Sequence, residues 1–250
     1  LKKFIINNMP INSADIKEIE LILDKTLDST TSPNLITTFN LDFLRVSASD
    51  IDFFNICQNS LYNFPDGFGI TSLILLKYKI LIQRFTGNDI FPILLQIAKK
   101  KNLKVAIIGG TKEVSLSVYN KISTEFDFSS SNLLCISPLN NFEYDFAQNK
   151  LVVEKLKEFK PNIVFAALGC PRQEKWLFNH MNEFGSVLNV GIGATLDYFA
   201  GKKKRSPKFL QRIGLEWFWR LLNEPKRLFK RYVVKDIPFY FKNVVQILRG

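Results

Sequence analysis

Short apolar runs rich in β-branched residues recur along this chain: "KFIINN", "NLITTF", "SLYNF", "KVAIIG", "NLLCIS", "NIVFAAL" and "VLNVGIG". Longer stretches with helical spacing separate them. In "SADIKEIELILDKTLDS", Ile16, Ile19, Ile22 and Leu23 share one face and Ser13 stands as the expected N-cap. "KEVSLSVYNKISTEF" and "QNKLVVEKLKEFK" read the same way. This alternation predicts βαβ units, and hence an α/β fold with a mostly parallel sheet between helix layers. A chain of 250 residues, 46% of them hydrophobic, can fill one such domain and carry an appendage.

The charge is unevenly placed. Residues 201–250 hold fourteen Lys/Arg and three Asp/Glu, which equals the net +11 of the whole chain. Residues 1–200 are balanced. The composition changes at "GKKKRSPKFLQR", so the chain divides into a neutral core, residues 1–200, and a basic helical appendage, residues 201–250. A segment of that charge seeks phosphate, anionic lipid or nucleic acid. It also carries Trp217, Trp219, Phe229, Tyr232 and Phe241, a mixture suited to a membrane surface. No apolar run reaches the roughly 18 residues of a membrane-spanning helix. The first residues turn polar too soon for a secretory signal. Cys57, Cys135 and Cys170 are odd in number and far apart, which suits a reducing compartment and fits neither a disulfide framework nor a zinc site.

In parallel sheets ligands bind beyond the carboxyl ends of the strands. Here those ends carry unusual residues. "NLITTF" leads into Thr37, Thr38 and Asn40; "SLYNF" leads into "PDGFG"; "KVAII" leads into "GGTKE", with Gly109 and Gly110; "NIVFAAL" leads into "GCPRQE". Pro-Asp-Gly is an ordinary turn signal, but between an apolar strand and a buried helix Asp66 faces the crevice and can take a proton from a hydroxyl. The two glycines of "GGTKE" let backbone approach a ligand at a helix N-terminus, although the full dinucleotide fingerprint is missing. Gly169 ends a strand, Pro171 suits a first helical turn, and Glu174 suits the helix dipole. Gln173 can both donate and accept hydrogen bonds to a sugar or a base.

Other candidates have plainer readings. Asp50 and Asp52 in "SDID" have metal-ligand spacing but lie within an expected helix, where Ser49 or Asp50 is the N-cap. His180, the sole histidine, has no nucleophile beside it and reads as a packing or surface residue.

The motifs together resemble the WecG/TagA/CpsF bacterial glycosyltransferases, glycosyltransferase family 26. The resemblance covers nearly the whole chain, most specifically "PNIVFAALGCPRQEKW" followed by "VGIGATLDYFAGKKKRSPKFLQRIGLEWFWRLLNEPKRLFKRY". It implies a Rossmann-like core with a C-terminal appendage. It implies inverting transfer of an N-acetylmannosamine-type sugar from a UDP-sugar to a polyprenyl-diphosphate-linked sugar, without a catalytic metal or other cofactor. It implies Asp66 as general base and substrate contacts at Thr38, Asn40, Gly109, Gly110, Gly169 and Gln173. Appendage contacts to diphosphate fall on Arg220, Arg227 and either Lys230 or Arg231, a choice left open.

The expected setting is cytoplasmic, peripheral at the inner face of the cytoplasmic membrane. The exact sugar and polymer, and whether the chain forms a homo-oligomer, stay open. A nucleic-acid- or anionic-lipid-binding protein without transferase activity is the competing class. The neutral body and the absence of a nucleic-acid-binding motif weigh against a nucleic-acid partner. A nicotinamide-dependent oxidoreductase needs the missing fingerprint.

Overall fold

The computed structural model describes residues 1–29 and 32–249, the side chain of Arg212 excepted. β1 (Lys2–Ile6) and β2 (Met9–Ser13) form an antiparallel hairpin. β3 (Asn34–Phe39), β4 (Tyr62–Pro65), β5 (Val105–Gly109), β6 (Leu133–Ile136), β7 (Ile163–Ala167) and β8 (Leu188–Gly191) form one six-stranded sheet in the order β4-β3-β8-β7-β5-β6. Every pairing in that sheet is parallel. The doubly covered α/β sheet expected from the sequence is therefore present.

Its residues alternate between two cores, as a pleat buried on both faces requires. On one face Val105, Ile107 and Phe165 pack under Phe91, Leu94 and Leu95 of the helix Gly87–Lys100. On the other, Ala106, Ile108 and Val164 pack under Leu156 of the helix Phe146–Phe159 and Trp176 and Leu177 of the helix Arg172–Phe184.

Two expectations are corrected. "KFIINN" is a strand, but it belongs to the hairpin and not to the parallel sheet. Asn7 and Asn8 both take positive φ, 48° and 63°, which is the two-residue turn that joins antiparallel strands. Ser13 is not an N-cap: it is the last residue of β2 and pairs with Lys2. Asp15 caps the helix Ile16–Ser29 instead, accepting from the Glu18 N–H at 2.9 Å, while the Glu18 carboxylate accepts from the Asp15 N–H at 3.0 Å.

Because all six strands run the same way, their carboxyl ends share one edge of the sheet. Gly109 makes a close crossing there. Its φ is +121°, and a Cβ on it would lie 2.6 Å from the Ala167 carbonyl oxygen, so β5 and β7 can approach only with glycine at this position.

The C-terminal residues fold as short helices, Lys208–Arg212, Glu216–Asn223 and Pro225–Phe229, then a π-helical turn, Lys230–Asp236, and the helix Ile237–Leu248. Phe239, Val244 and Ile247 pack on a third core built from the hairpin and the helix Gly67–Tyr78. Tyr240 and Ser72 share a hydrogen bond of 2.9 Å, and Asn7 donates to Asn243 at 2.6 Å. The basic tail is thus folded back over the strand ends. Among the described residues no helix is long and apolar enough to cross a membrane.

Candidate active site

The tail and the strand ends enclose a cavity of about 380 Å³. From the core, Asn40, Asp66, Arg84 and Thr86 face it; from the tail, Glu216, Trp217, Arg220, Arg231 and Tyr240 do. Each core residue is placed by local backbone chemistry. Asn40 caps the helix Leu41–Ser47, its Oδ1 accepting from the Phe43 N–H at 3.2 Å. Its amide nitrogen carries no hydrogen bond among the described residues. Asp66 occupies the N-cap position of the helix Gly67–Tyr78, yet its side chain makes no capping bond. The Asp66 N–H is instead tied to the Phe39 carbonyl at 2.8 Å, and the Phe85 N–H to the Pro65 carbonyl at 2.7 Å. These two bonds lock the end of β4 and hold Arg84 and Thr86 beside it.

An N-cap aspartate that declines its helix is available for something else. Burial pushes the Asp66 carboxyl up to about 7, with Arg220 and Arg84 offsetting part of that cost and Glu216 and Asp89 adding to it. Arg220 stacks over the Tyr198 ring at 5.4 Å. Burial opposes its charge, but Tyr232, Tyr198, Asp66 and Glu216 together more than reverse that effect and hold it protonated. Arg84 donates to Glu216 at 2.9 Å. The Nε atoms of Arg205, Arg220 and Arg231 are buried without a hydrogen-bond partner among the described residues. Guanidinium N–H groups left open in this way suit a bidentate anion such as a phosphate.

Of the two positions left open in the sequence, only Arg231 is brought to the cavity. It lines the cavity and reaches Asp42 at 2.9 Å, whereas Lys230 is exposed. Arg227 is not brought to the cavity. It is 58% exposed and pairs with Glu224 at 2.7 Å on the outer surface.

The remaining strand-end residues form a second cluster beside the cavity. Gln173 is buried, and its Oε1 accepts from the N–H groups of both Gly169 and Gly193 at 3.1 Å. Its Nε2 donates to Glu174 at 2.6 Å. The amide expected to read a ligand thus staples the loops after β7 and β8. Glu174 stands in the first turn of the helix Arg172–Phe184, as expected, and is fully buried there, and burial raises its carboxyl to about 7. Gly109, Gly110 and Thr38 lie outside the cavity lining. Gly110 accepts from the Ser137 hydroxyl at 2.8 Å, and Thr111 caps the helix Lys112–Glu125. Thr38 is buried in β3, level with Phe64 of β4.

Asp50 is the N-cap expected from "SDID" and also pairs with Lys175 at 2.7 Å, while Asp52 is exposed. His180 sits on the helix Arg172–Phe184, bonded to Glu183 and Asn149, as a packing residue.

A model of the glycosyl transferase WecG/TagA/CpsF family matches residues 4–250. The chain belongs to this family. It is 31% identical over 241 residues to an N-acetylglucosaminyldiphosphoundecaprenol N-acetyl-beta-D-mannosaminyltransferase of Bacillus subtilis (strain 168), covering 96% of this chain and 90% of that protein. The protein of the same name from Staphylococcus aureus (strain MW2) is 26% identical over 238 residues, 95% of this chain and 90% of its own length. A basic binding protein without transferase activity finds no support in these relationships.

In this WecG/TagA/CpsF protein the cavity also holds residues that sequence patterns did not mark. Arg84 lies in an irregular segment, and the Glu216 carboxylate binds it; the same carboxylate lies 3.7 Å from Arg205, just outside the cavity lining. The signal available for Arg84 was its place two residues before Thr86, which opens the capping box of the next helix.

The raised Asp66 carboxyl predicts a pH-dependent stability. A carboxyl that holds its proton more tightly folded than unfolded loses folding stability as pH rises from its ordinary range, about 4, through about 7. Asp66→Asn removes that loss. Its melting temperature should gain on the wild type between about pH 4 and about pH 7, with the gap level above that, as read by thermal scans. A gap that does not change with pH contradicts the assignment.

Proposed function

We propose that this chain is an inverting hexosyltransferase that moves an N-acetylmannosamine-type sugar from a UDP-sugar to the sugar of a polyprenyl-diphosphate-linked acceptor. The observation that carries the reading is the unbonded carboxyl of Asp66 in a cavity rimmed by Arg84, Arg220 and Arg231. The names of the relatives supply the class of sugar and lipid.

The residues divide the work as follows. The acceptor hydroxyl attacks C1 of the donor sugar from the face opposite the departing UDP, which inverts that carbon. Asp66 takes the hydroxyl proton. A carboxyl raised to about 7 is a stronger base than an ordinary aspartate and is still substantially ionised near neutral pH. Negative charge grows on the UDP diphosphate as the bond breaks. Arg220 and Arg231 supply the counter-charge, with guanidinium N–H groups already aimed inward, so no metal is assigned a role. Asn40 offers its free amide nitrogen to a sugar hydroxyl. Gln173, Gly109, Gly110 and Gly169 act one step back, by fixing the loops against which the nucleotide lies, and Thr38 stands beneath them in β3.

Asp66→Asn should keep the fold but lower turnover by about 100-fold or more, the scale of a lost general base. In the wild type, kcat/KM should rise with pH through about 7, and this limb should vanish in the variant. Turnover within a few-fold of wild type, or a limb that persists, removes Asp66 from the proton transfer.

The same reading places the protein peripherally at the inner face of the cytoplasmic membrane. The outer surface of the tail exposes Phe209, Leu222 and Phe229, 68%, 61% and 54% exposed, beside Lys226, Arg227 and Lys230. Apolar side chains among cations suit an anionic lipid surface. Replacing Leu222 and Phe229 together by Ser should weaken sedimentation with phosphatidylglycerol liposomes by about tenfold or more, since each buries about 1.5–3 kcal/mol of apolar surface when inserted. Binding equal to wild type contradicts the membrane placement.

A further inference from the structure

A second concavity, about 690 Å³, opens directly beside the active-site cavity and shares Phe68, Arg84, Ile213 and Gly214 with it. One wall is a stripe of the helix Gly67–Tyr78: Phe68, Thr71, Ser72 and Leu75 recur at helical spacing on one face. Leu81 and Ile82 continue that wall beyond the helix, and Lys208, Gln211 and Ile213 of the tail form the other. Most of the groove's surface is apolar, from Ile16, Phe68, Leu75, Leu81, Ile82 and Ile213, with Thr71, Ser72, Gln83 and Gln211 set among them and the arginines gathered at its inner end. Phe68 stands at the junction. Gly214, at φ +78°, has no side chain to displace it: a Cβ there would lie 2.9 Å from the Phe68 ring. The outer end is open, with Leu75 42% and Leu81 79% exposed.

The inner end is built for an anion. Arg84 and Arg205 meet there. Arg205 makes only long bonds, 3.4 Å to Thr86 and 3.4 Å to Asp89, and its Nε is buried without a hydrogen-bond partner among the described residues. Among the described residues Arg84 bonds to Glu216 alone. Asp89 and Glu216 orient the two guanidinium groups, and Lys208 adds a further cation on the tail side. A cationic end joined to the base-bearing cavity, followed by a mostly apolar trough that runs to the surface, is complementary to one kind of molecule. That molecule has a sugar, a diphosphate and a long hydrocarbon in line.

We propose that this groove seats the isoprenoid chain of the lipid-linked acceptor, with the acceptor diphosphate between Arg84 and Arg205 and its sugar beside Asp66. The proposal rests on the transferase reading and deepens it. It assigns Arg84 and Arg205 to the acceptor and leaves Arg220 and Arg231 to the departing nucleotide. The two diphosphates then lie on opposite sides of Asp66, which keeps like charges apart while the hydroxyl between them reacts. The first isoprene units lie against Leu75 and Leu81, and the rest of the chain leaves through the open end of the groove toward the bilayer.

The test measures binding and does not depend on turnover. Farnesyl diphosphate, inorganic diphosphate and dioctanoyl phosphatidylglycerol are titrated calorimetrically into the full chain and into Leu75→Glu, Leu81→Glu and Arg205→Ala. Leu75 and Leu81 are exposed, so their replacement spares the core, and thermal scans check that the variants fold. Farnesyl diphosphate should bind the wild type at least about tenfold more tightly than inorganic diphosphate, and each Glu variant should lose about tenfold of that affinity while binding inorganic diphosphate as before. Arg205→Ala should weaken both diphosphates. Equal affinity for the two diphosphates, undiminished farnesyl diphosphate binding by the Glu variants, or displacement of farnesyl diphosphate by phosphatidylglycerol overturns the proposal. A separate assay of sugar transfer from UDP-N-acetylmannosamine reads the parent function, so its failure is distinguishable from failure of the groove.

Discussion

Two arginines and two aspartates form a closed ring where the tail meets the core. Arg45 binds Asp42 on its own helix and Asp236 of the tail at 2.8 Å; Arg231 of the tail binds Asp42 at 2.9 Å and faces Asp236 at 3.8 Å. Both aspartate side chains are under a tenth exposed, and the arginines are only partly so. Ion pairs of this kind contribute little net stability, because desolvation offsets attraction. Removing one member is another matter, since it leaves a charge without its partner, at a cost of about 3–5 kcal/mol. The ring therefore acts less as glue than as a demand for one arrangement: charges at positions 42, 45, 231 and 236 are balanced only when the tail lies where it does.

That arrangement gives the cavity its chemistry. Without the tail, the end of β4 presents Asp66 to water, where an aspartate stays acidic. With it, Glu216, Trp217, Arg220 and Tyr240 close over the carboxyl, and burial raises it toward neutrality. The same segment therefore delivers the cations and removes the water that would weaken them. Its two faces differ in character. Arg220 and Arg231 turn inward to the cavity, while Phe209, Leu222, Phe229 and the exposed lysines turn outward. On the proposed function, catalysis and lipid contact are coupled through one docked element.

The sheet was legible because β-branched runs and helical spacing are local signals that parallel packing reinforces. The N-terminal hairpin was not, since its signal is two asparagines in left-handed conformation and nothing in an apolar run distinguishes a hairpin strand from a sheet strand. Asp66 could be read as a strand-end acid. Its failure to cap its own helix, which frees it for chemistry, shows only in three dimensions. Arg227 lies one heptad from Arg220, so a continuous helix would bring both to one face. The chain breaks between them: Glu224 leaves the helical region at φ −133° and ψ 55°, and Pro225 starts a new helix, which turns Arg227 outward. Arg84 went unmarked because it lies in an irregular segment and its partner Glu216 is 132 residues away. Gln173 was marked, but its partners, Gly169 and Gly193, converge on it only when β7 and β8 lie side by side.

On this view the charge ring docks the tail, and docking makes the site. Arg45 tests it well, because it joins both aspartates and does not line the cavity. In Arg45→Met, hydrogen–deuterium exchange across residues 231–248 is the measurement, with sugar transfer recorded on the same preparation. Exchange should be faster throughout that segment and unchanged in β5, β7 and β8, and turnover should be lower by about tenfold or more, since a loss of about 3 kcal/mol leaves the docked state a minority or close to it. Exchange in residues 231–248 equal to wild type, with turnover retained, would contradict this view.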